Sequence, residues 1–292
     1  MVKNSITTLT QKGSDTMEVI LGIDMGGSTT KIVGLRTDGS VISMLRVRAE
    51  DHLTSLYGAL GNYLTSNNLS LRDVRRIVLT GVGASYVEGS IYGLPTCKID
   101  EFSASGMGAL ALSGQEKGVV ATLGTGTAFL WAEGNSVRHL CGTGIGGGTL
   151  KGLCHALVGT DSIGQIQRMA CQGDVTQVDL TMRDIIKDPP ATLDLDMTAA
   201  NFGNLADDCT HADLTAGAIN LVLQAIGTMT VLSCQCCSCN TVILTGSLTK
   251  LAQVETNFAL FEKLYGIRYI IPENATFATA IGAALCSLQE KP

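Results

Sequence analysis

The chain has 292 residues, a formal net charge of −6 at pH 7 and an apolar content of 45%, with 34 glycines and five prolines. This composition excludes a disordered chain, and because Lys and Arg form no block, nucleic acid is not an expected partner. The length is close to the size at which one hydrophobic core gives way to two, so we expect two lobes.

The amino-terminal residues, 1–17, predict a polar extension ahead of the folded part. They lack the apolar core of a signal peptide, and no apolar run elsewhere reaches the length needed to cross a bilayer. We therefore expect a cytoplasmic protein that has no membrane partner.

The segment GIDMGGSTTK, residues 22–31, lies between two short apolar runs and predicts a strand, a tight turn and a second strand. Glycines let a backbone approach a polyphosphate closely, and successive N–H groups in a tight turn bind anions. Asp24, at the strand end, suits a hydrated Mg²⁺, which favours one or two carboxylates plus phosphate oxygens. An ordinary glycine-rich hairpin turn fits the same residues, because the P-loop pattern is absent.

A pattern of three strands with a glycine-rich turn after the first occurs twice in the chain. The predicted strands are residues 18–24, 30–36 and 40–48 in the first half, and 118–123, 128–132 and 136–140 in the second. The sequence therefore predicts a duplicated α/β fold, with an N-terminal lobe over 18–116, a C-terminal lobe over 117–292 and a cleft between them.

Further elements complete each predicted lobe. Apolar spacing predicts helices over 51–67, 102–112, 147–158, 216–232 and 275–288, and buried strands over 76–80 and 241–245. Residues 187–212 are rich in loop-forming and acidic residues, which suggests a mobile flap or a dimer contact.

A second glycine cluster, GTGIGGGTLKGL, covers residues 142–153. Three consecutive glycines open a predicted helix, so free N–H groups and the positive end of a helix dipole would point at one place and suit a nucleotide's phosphates. Thr125 lies in the glycine turn at the duplicated position, and Gly246-Ser247 follows a buried strand that is suited to back a nucleoside. Close packing of flexible turns is the alternative explanation.

Two acids, Asp100 and Glu101, stand where a short strand-like segment meets a helix of small residues. In a cleft, Glu101 is a candidate to accept a proton from an attacking hydroxyl during phosphoryl transfer. A helix-start acid that is stabilised by the dipole is the structural alternative.

Ten cysteines include the run Cys234-Gln-Cys236-Cys237-Ser-Cys239 after the predicted helix 216–232. In a cytosolic protein of this size we expect free thiols at a helix end. A metal or redox site is the alternative, although the spaced CxxC pairs of zinc modules are missing.

Nine segments, taken together, resemble those of the type II pantothenate kinases, a branch of the actin/hexokinase/Hsp70 ATPase superfamily. They are GIDMGGSTTK (22–31), LTGVGA (79–84), DEFSAS (100–105), LGTGT (123–127), GTGIGGGTLKGL (142–153), GDVTQVDLTMRDIIKD (173–188), DMTAANFG (196–203), LTGS (244–247) and ENATFATAIGA (273–283). The resemblance implies two actin-like (ribonuclease H-like) lobes with ATP and substrate in the interlobe cleft. It also implies ATP-dependent phosphorylation of pantothenate, the first step toward coenzyme A.

The resemblance assigns roles to particular positions. Glu101 falls on the family's general base, Asp24 lies near Mg²⁺, and Lys31 lies near phosphate. The remaining positions in contact with ATP would be Gly26, Gly27, Ser28, Thr29, Thr125, Gly146, Gly147, Gly148, Thr149, Gly246 and Ser247. The resemblance also implies a homodimer built through the helix at 216–233, and coenzyme A or an acyl-CoA is the candidate regulator.

The chain departs from the family at a substrate-contacting arginine. His139 occupies that position and Arg138 precedes it. Adjacent strand residues point to opposite faces, and a neutral imidazole holds a carboxylate less well than a guanidinium. Three explanations stay open: a bulge brings Arg138 round, His139 serves as the substrate ligand, or the substrate is a related small alcohol.

Three other functions share parts of this pattern. One is a sugar or other small-molecule kinase of the superfamily. Another is an ATP-switched iron–sulfur activator, an alternative that the many cysteines support. The third is a catalytically weak regulator that binds a nucleotide or coenzyme A.

Overall fold

The computed structural model describes residues 18–188 and 194–289, so the predicted extension at 1–17 lies outside the described residues. The first sheet has the strand order β3-β2-β1-β4-β5. Its strands are β1 (Val19–Met25), β2 (Thr29–Arg36), β3 (Val41–Arg48), β4 (Val74–Thr80) and β5 (Thr96–Lys98). β1 is antiparallel to β2 and parallel to β4, and it is buried along its whole length.

The second sheet repeats this topology strand for strand, in the order β8-β7-β6-β11-β12. Its strands are β6 (Lys117–Leu123), β7 (Thr127–Glu133), β8 (Ser136–Thr143), β11 (Thr241–Thr245) and β12 (Arg268–Ile270). β6 is antiparallel to β7 and parallel to β11, as β1 is to β2 and β4. The predicted duplication is therefore present in the pairing of the strands as well as in their order.

The described part of the chain forms eight α-helices and a small two-stranded sheet. The helices are α1 (His52–Ser66), α2 (Glu101–Ser113), α3 (Gly147–Val158), α4 (Ile163–Ala170), α5 (Met182–Ile185), α6 (His211–Cys237), α7 (Gln253–Tyr265) and α8 (Ala278–Gln289). The small sheet pairs β9 (Leu180–Thr181) with β10 (Thr198–Ala200), so part of the segment predicted to be loop-rich is structured.

The two central helices, α2 and α8, pack against each other between the sheets. α8 covers the first sheet, where Ala280 and Ala284 share a core with Val33, whereas α2 covers the second sheet through Leu110 and its neighbours. The sequence boundary at residue 116 therefore separates the two sheets, but each sheet is covered by a helix from the other half of the chain. The contact between α2 and α8 therefore joins the two halves of the chain.

The longest helix, α6, begins at His211, five residues before the predicted start. The Thr210 side chain caps it by accepting a hydrogen bond from the Asp213 N–H, and Asp213 bonds back to the Thr210 N–H. The expectation that no apolar run has the length of a bilayer is wrong for α6, which meets that length and composition. Two-thirds of its apolar window is buried within the protein, which is typical of a core helix.

Candidate active site

A buried ion pair lies at the end of β1. Asp24 Oδ2 accepts a hydrogen bond from Lys31 Nζ at 2.9 Å, and the two side chains are only 7% and 11% exposed. The residues are direct partners across β1 and β2, so the hairpin itself sets the contact. A buried pair of this kind holds both side chains in place, since either charge alone would be costly in this environment.

The turn that joins these strands is the predicted phosphate turn. The Gly26 N–H donates to the Thr29 carbonyl at 3.0 Å, while Gly27 and Ser28 are exposed at its tip. Gly81, after β4, packs directly beneath this turn with a φ of 85°. A Cβ on residue 81 would lie 2.7 Å from Asp24 Oδ1 and 2.8 Å from the Met25 carbonyl oxygen, so only glycine fits.

Glu101 is the first residue of α2 and lies within electrostatic range of the ion pair. Burial raises the pKa of its carboxyl group, and the Asp24 carboxylate raises it further, against the opposing effect of Lys31. The helix is capped by Asp100, whose side chain accepts from the Ser103 N–H at 2.8 Å. Asp100 is therefore the capping residue, and Glu101 is the acidic residue of the first turn, where the helix dipole favours a negative charge.

His139 lies on the same side of the second sheet as Glu101. Its imidazole stacks on the ring of Phe102, with 4.5 Å between centroids and 12° between planes. Phe102 was not among the predicted site residues, although its position next to Glu101 was the available signal. The stack places His139 beside the start of α2.

Arg138 is on the opposite face of β8. Its Nη2 donates to Cys237 Sγ at 3.9 Å, at the carboxyl end of α6. β8 does contain a bulge, but the extra residue is Leu140, beyond His139, so the bulge leaves Arg138 facing away. The structure therefore places His139 against Phe102, the residue after Glu101, whereas Arg138 contacts the end of α6.

The predicted nucleotide residues of the second lobe also converge. The Gly147 and Gly148 N–H groups donate to the carbonyls of Gly124 and Thr125, both at 2.8 Å. Gly246, with a φ of 94°, packs so closely on the end of β6 that a Cβ there would overlap the Leu123 carbonyl. Thr125 is exposed at the tip of its turn, so its hydroxyl group is accessible.

The expectation of free N–H groups at the start of α3 is wrong for its three glycines. The Gly146 N–H donates to Thr149 Oγ1 at 3.3 Å, and the next two N–H groups bond to the neighbouring turn as described above. A Cβ on Gly146 would lie 2.7 Å from the Thr125 carbonyl oxygen, so the glycines permit close packing of the two turns. A nucleotide could therefore contact only the outer surface of these two packed turns, Gly124–Gly126 and Gly146–Gly148.

Thr80 was also missed as a candidate. Its hydroxyl group is buried beside Asp24, its direct partner in β1, and has no hydrogen-bond partner in the described structure. Thr245, at the duplicated position, donates to Thr122 Oγ1 at 3.2 Å. The threonine hydroxyl group at this position therefore lacks a hydrogen bond in the first lobe and forms one in the second lobe.

The cysteine run lies at the carboxyl end of α6. Cys234 and Cys236 are both free thiols, and Cys234 is buried while Cys236 is exposed. Burial raises the pKa of the Cys234 thiol to about 12, which disfavours the thiolate that binds metals. Within residues 18–188 and 194–289, no group of three or more His, Cys, Asp or Glu side chains is arranged to hold a metal ion.

Comparison with known proteins identifies the family. A family model described as Fumble matches residues 118–263, which is half of the chain. The chain belongs to the Fumble family. The match covers the second sheet up to β11 together with α3, α6 and most of α7, which includes the glycine cluster and the Gly246 turn.

Relatives of this Fumble-family chain extend the match over both lobes. A type II pantothenate kinase from Staphylococcus epidermidis is 29% identical over 276 residues, which covers 90% of this chain and 98% of the relative. A type II pantothenate kinase from Staphylococcus aureus is 28% identical over 277 residues, with 90% and 97% covered. The resemblance predicted from the motifs is confirmed.

Solved structures confirm the fold class. The activator of the 2-hydroxyisocaproyl-CoA dehydratase from Clostridium difficile, with bound ADPNP, aligns with a TM-score of 0.67 at 15% identity, covering 92% of this chain and 94% of that one. A glucokinase of the ROK family from Streptomyces griseus, in complex with glucose and AMPPNP, gives 0.61 at 13% identity, covering 92% and 98%. At these identities the likeness shows the fold alone.

Proposed function

We propose that this Fumble-family protein is a pantothenate kinase, which transfers the γ-phosphoryl group of ATP to the hydroxyl group of pantothenate and forms 4'-phosphopantothenate. This reaction is the first step of coenzyme A biosynthesis. Glu101, which has a raised pKa, lies beside the buried Asp24–Lys31 pair, and this arrangement is the main support for the proposal. The type II pantothenate kinases that match 90% of the chain support the choice of substrate.

Glu101 is the general base in this proposal. A carboxylate with a raised pKa is a stronger base than a surface glutamate, and it accepts the proton of the attacking hydroxyl group. Phosphoryl transfer otherwise needs mainly positioning and charge stabilisation. The glycine turn at Gly26–Ser28 and the Lys31 ammonium provide these on one side, and the turns at Thr125, Gly146–Thr149 and Gly246-Ser247 provide them on the other.

Asp24 is suited to hold the Mg²⁺ that accompanies ATP. Its Oδ2 is bonded to Lys31, but no donor in the described residues bonds to Oδ1, and Gly81 leaves that oxygen room. One carboxylate together with phosphate oxygens and water is the usual environment of Mg²⁺ in such sites. When bound, the ion would neutralise charge on the β- and γ-phosphates.

The proposal extends to the assembly and its setting. The protein would be a cytoplasmic homodimer that pairs through α6, and coenzyme A or an acyl-CoA would be its regulator. α6 keeps an exposed strip on a mostly buried helix, with Thr228, Leu232 and Cys236 at the surface. A strip of this kind, with Leu232 exposed at its centre, is compatible with a helix–helix contact.

The experiment that tests the function is a substrate profile. ADP release is measured with Mg-ATP and pantothenate, a panel of sugars, or no acceptor. Release that depends on pantothenate supports the proposal. Release with a sugar instead would favour a small-molecule kinase of another specificity, and an iron–sulfur chromophore in anaerobically purified protein would favour the activator.

A further inference from the structure

A row of side chains crosses three strands next to the proposed catalytic site. Asp24 on β1 is the direct partner of Lys31 on β2, and Lys31 is in turn the direct partner of Arg46 on β3. Neighbouring strands are about 4.8 Å apart, so Arg46 begins about 10 Å from Asp24. That spacing is comparable to the length of a small elongated metabolite.

The alternation along β3 fixes the face on which Arg46 lies. Leu45 and Val47 pack into the core beneath α1, whereas Met44 packs into the core beneath α8. Successive residues of a strand point to opposite faces, so Arg46 shares the face of Met44, and Arg48 follows on the same face. Arg46 therefore lies on the face that carries the Asp24–Lys31 pair.

The two arginines carry uncompensated charge. Both are exposed, and within the described ranges neither forms an ion pair or a side-chain hydrogen bond. Lys31, by contrast, forms an ion pair with Asp24. The net positive charge on this part of the face therefore comes from Arg46 and Arg48, one strand beyond Lys31.

We propose that Arg46, supported by Arg48, binds the carboxylate of the acceptor alcohol, while Glu101 faces its hydroxyl group. This inference rests on the proposed function, because pantothenate carries a hydroxyl group at one end and a carboxylate at the other. A guanidinium binds a carboxylate through two parallel hydrogen bonds, which gives orientation as well as affinity.

The geometry favours Arg46 over the other cations near the site. Arg138 faces α6 and contacts Cys237. His139 is stacked flat on Phe102, and a neutral imidazole offers at most one donor to a carboxylate. The arginine that the chain lacks on β8 would thus be replaced by one on β3, from the opposite lobe.

The test compares two acceptors with each variant. One is pantothenate, and the other is its neutral analogue, in which a hydroxymethyl group replaces the carboxylate. Arg46→Gln should raise the KM for pantothenate about 10- to 100-fold, the value of one or two hydrogen bonds to a charged group. The KM for the neutral analogue, the KM for ATP and kcat should change little, and Arg46→Lys should recover part of the affinity.

Arg72→Gln is the matched control, because Arg72 is also exposed and lies before β4, at the other end of that strand from Thr80. It should leave every parameter unchanged. An equal rise in KM for both acceptors, a rise in the KM for ATP, or no change with Arg46→Gln would each overturn the inference while leaving the kinase assignment intact. Wild-type protein without pantothenate-dependent turnover would overturn the proposed function and this inference together.

Discussion

At the scale of single residues, four influences act on the pKa of the Glu101 carboxyl group. Burial, the Asp24 carboxylate and the Asp100 carboxylate raise it, and Lys31 lowers it. The direction of this pKa shift sets the sign of two pH dependences, that of the rate and that of the stability.

The rate should fall on the acid side at a pH above the ordinary range for glutamate. A general base acts only when it is ionised, so kcat/KM decreases as the pH falls through the raised pKa of Glu101. Lys31→Met removes the cation that lowers this pKa and should move the acid limb to higher pH. A pH–rate profile that bends at the ordinary glutamate pKa in both proteins would contradict the assignment.

Stability should respond in the opposite sense. Because the pKa of Glu101 is higher in the folded state than in the unfolded state, its ionisation opposes folding as the pH rises through that window. Glu101→Gln removes this cost, so its Tm at neutral pH should equal or exceed that of the wild type. A lower Tm, measured by calorimetry, would mean that Glu101 stabilises the fold and that its activity effects are indirect.

The Asp24–Lys31 pair should behave as a buried unit. Asp24→Asn leaves the Lys31 ammonium buried and unpaired, which should lower the free energy of unfolding by about 3 to 5 kcal/mol. Adding Lys31→Met should restore part of the loss. The matched control is Asp196→Asn in the exposed pair with Arg183, at 2.6 Å, which should cost at most about 1 kcal/mol. Equal losses in urea unfolding of both single variants would contradict this account.

How far the sequence predicts the site depends on the residue. Asp24 and Glu101 can be predicted from short sequence motifs. Asp24 lies at the end of a strand just before two glycines, and Glu101 begins a helix. The direction of Arg138 depends on where β8 bulges, and the bulge at Leu140 is fixed by the pairing with β7. Arg46 had no local signal, because its relation to Lys31 exists only across strands.

At the scale of elements, the contact between α2 and α8 depends on glycine. A Cβ on Gly108 would overlap the Ala278 carbonyl, and one on Gly282 would overlap the Ala104 carbonyl. The obstacles are backbone atoms, so the helices would have to separate to accommodate a methyl group. Since each helix covers the sheet of the other half, this contact also sets how the two sheets meet around Glu101.

Gly108→Ala should therefore destabilise the protein by about 1 to 3 kcal/mol, the usual cost of overpacking. Gly152→Ala is the matched control, because Gly152 is an exposed glycine within α3 with no atom within 4 Å of the added Cβ. It should stabilise the protein by about 0.5 to 1 kcal/mol through helix propensity. Urea unfolding measures the change in the free energy of unfolding for each variant. Changes of the same sign would show that close packing is not the cause of the loss in Gly108→Ala.

The elements divide into those that the sequence predicts and those it does not. The meander strands match their predicted ranges within three residues, because alternating apolar residues and glycine turns encode them locally. α4, α7 and the edge strand β12 were not predicted, and β12 has only three residues. The exchange of α2 and α8 between the sheets was also not predicted, because nothing in a short window of sequence specifies it.

At the scale of the whole molecule, the proposed homodimer makes a separate prediction. Leu232 on α6 is 49% exposed, in the strip that we propose to pair with the same strip of a second copy. Leu232→Glu would place two carboxylates against an apolar contact, so it should convert a dimer to a monomer in light scattering. Leu264→Glu on α7, at 40% exposure, is the control and should leave the dimer intact. A wild-type monomer, or a dimer that survives Leu232→Glu, would contradict this interface.

Pantothenate-dependent ADP release, compared between the wild type and Glu101→Gln, tests whether Glu101 is the base of a pantothenate kinase. The wild type should release ADP only when Mg-ATP and pantothenate are both present. The variant should lose about 10²- to 10⁴-fold in turnover, with ATP affinity little changed. A variant that keeps the wild-type rate would rule out Glu101 as the base, and a wild type that releases no ADP with pantothenate would rule out the pantothenate kinase.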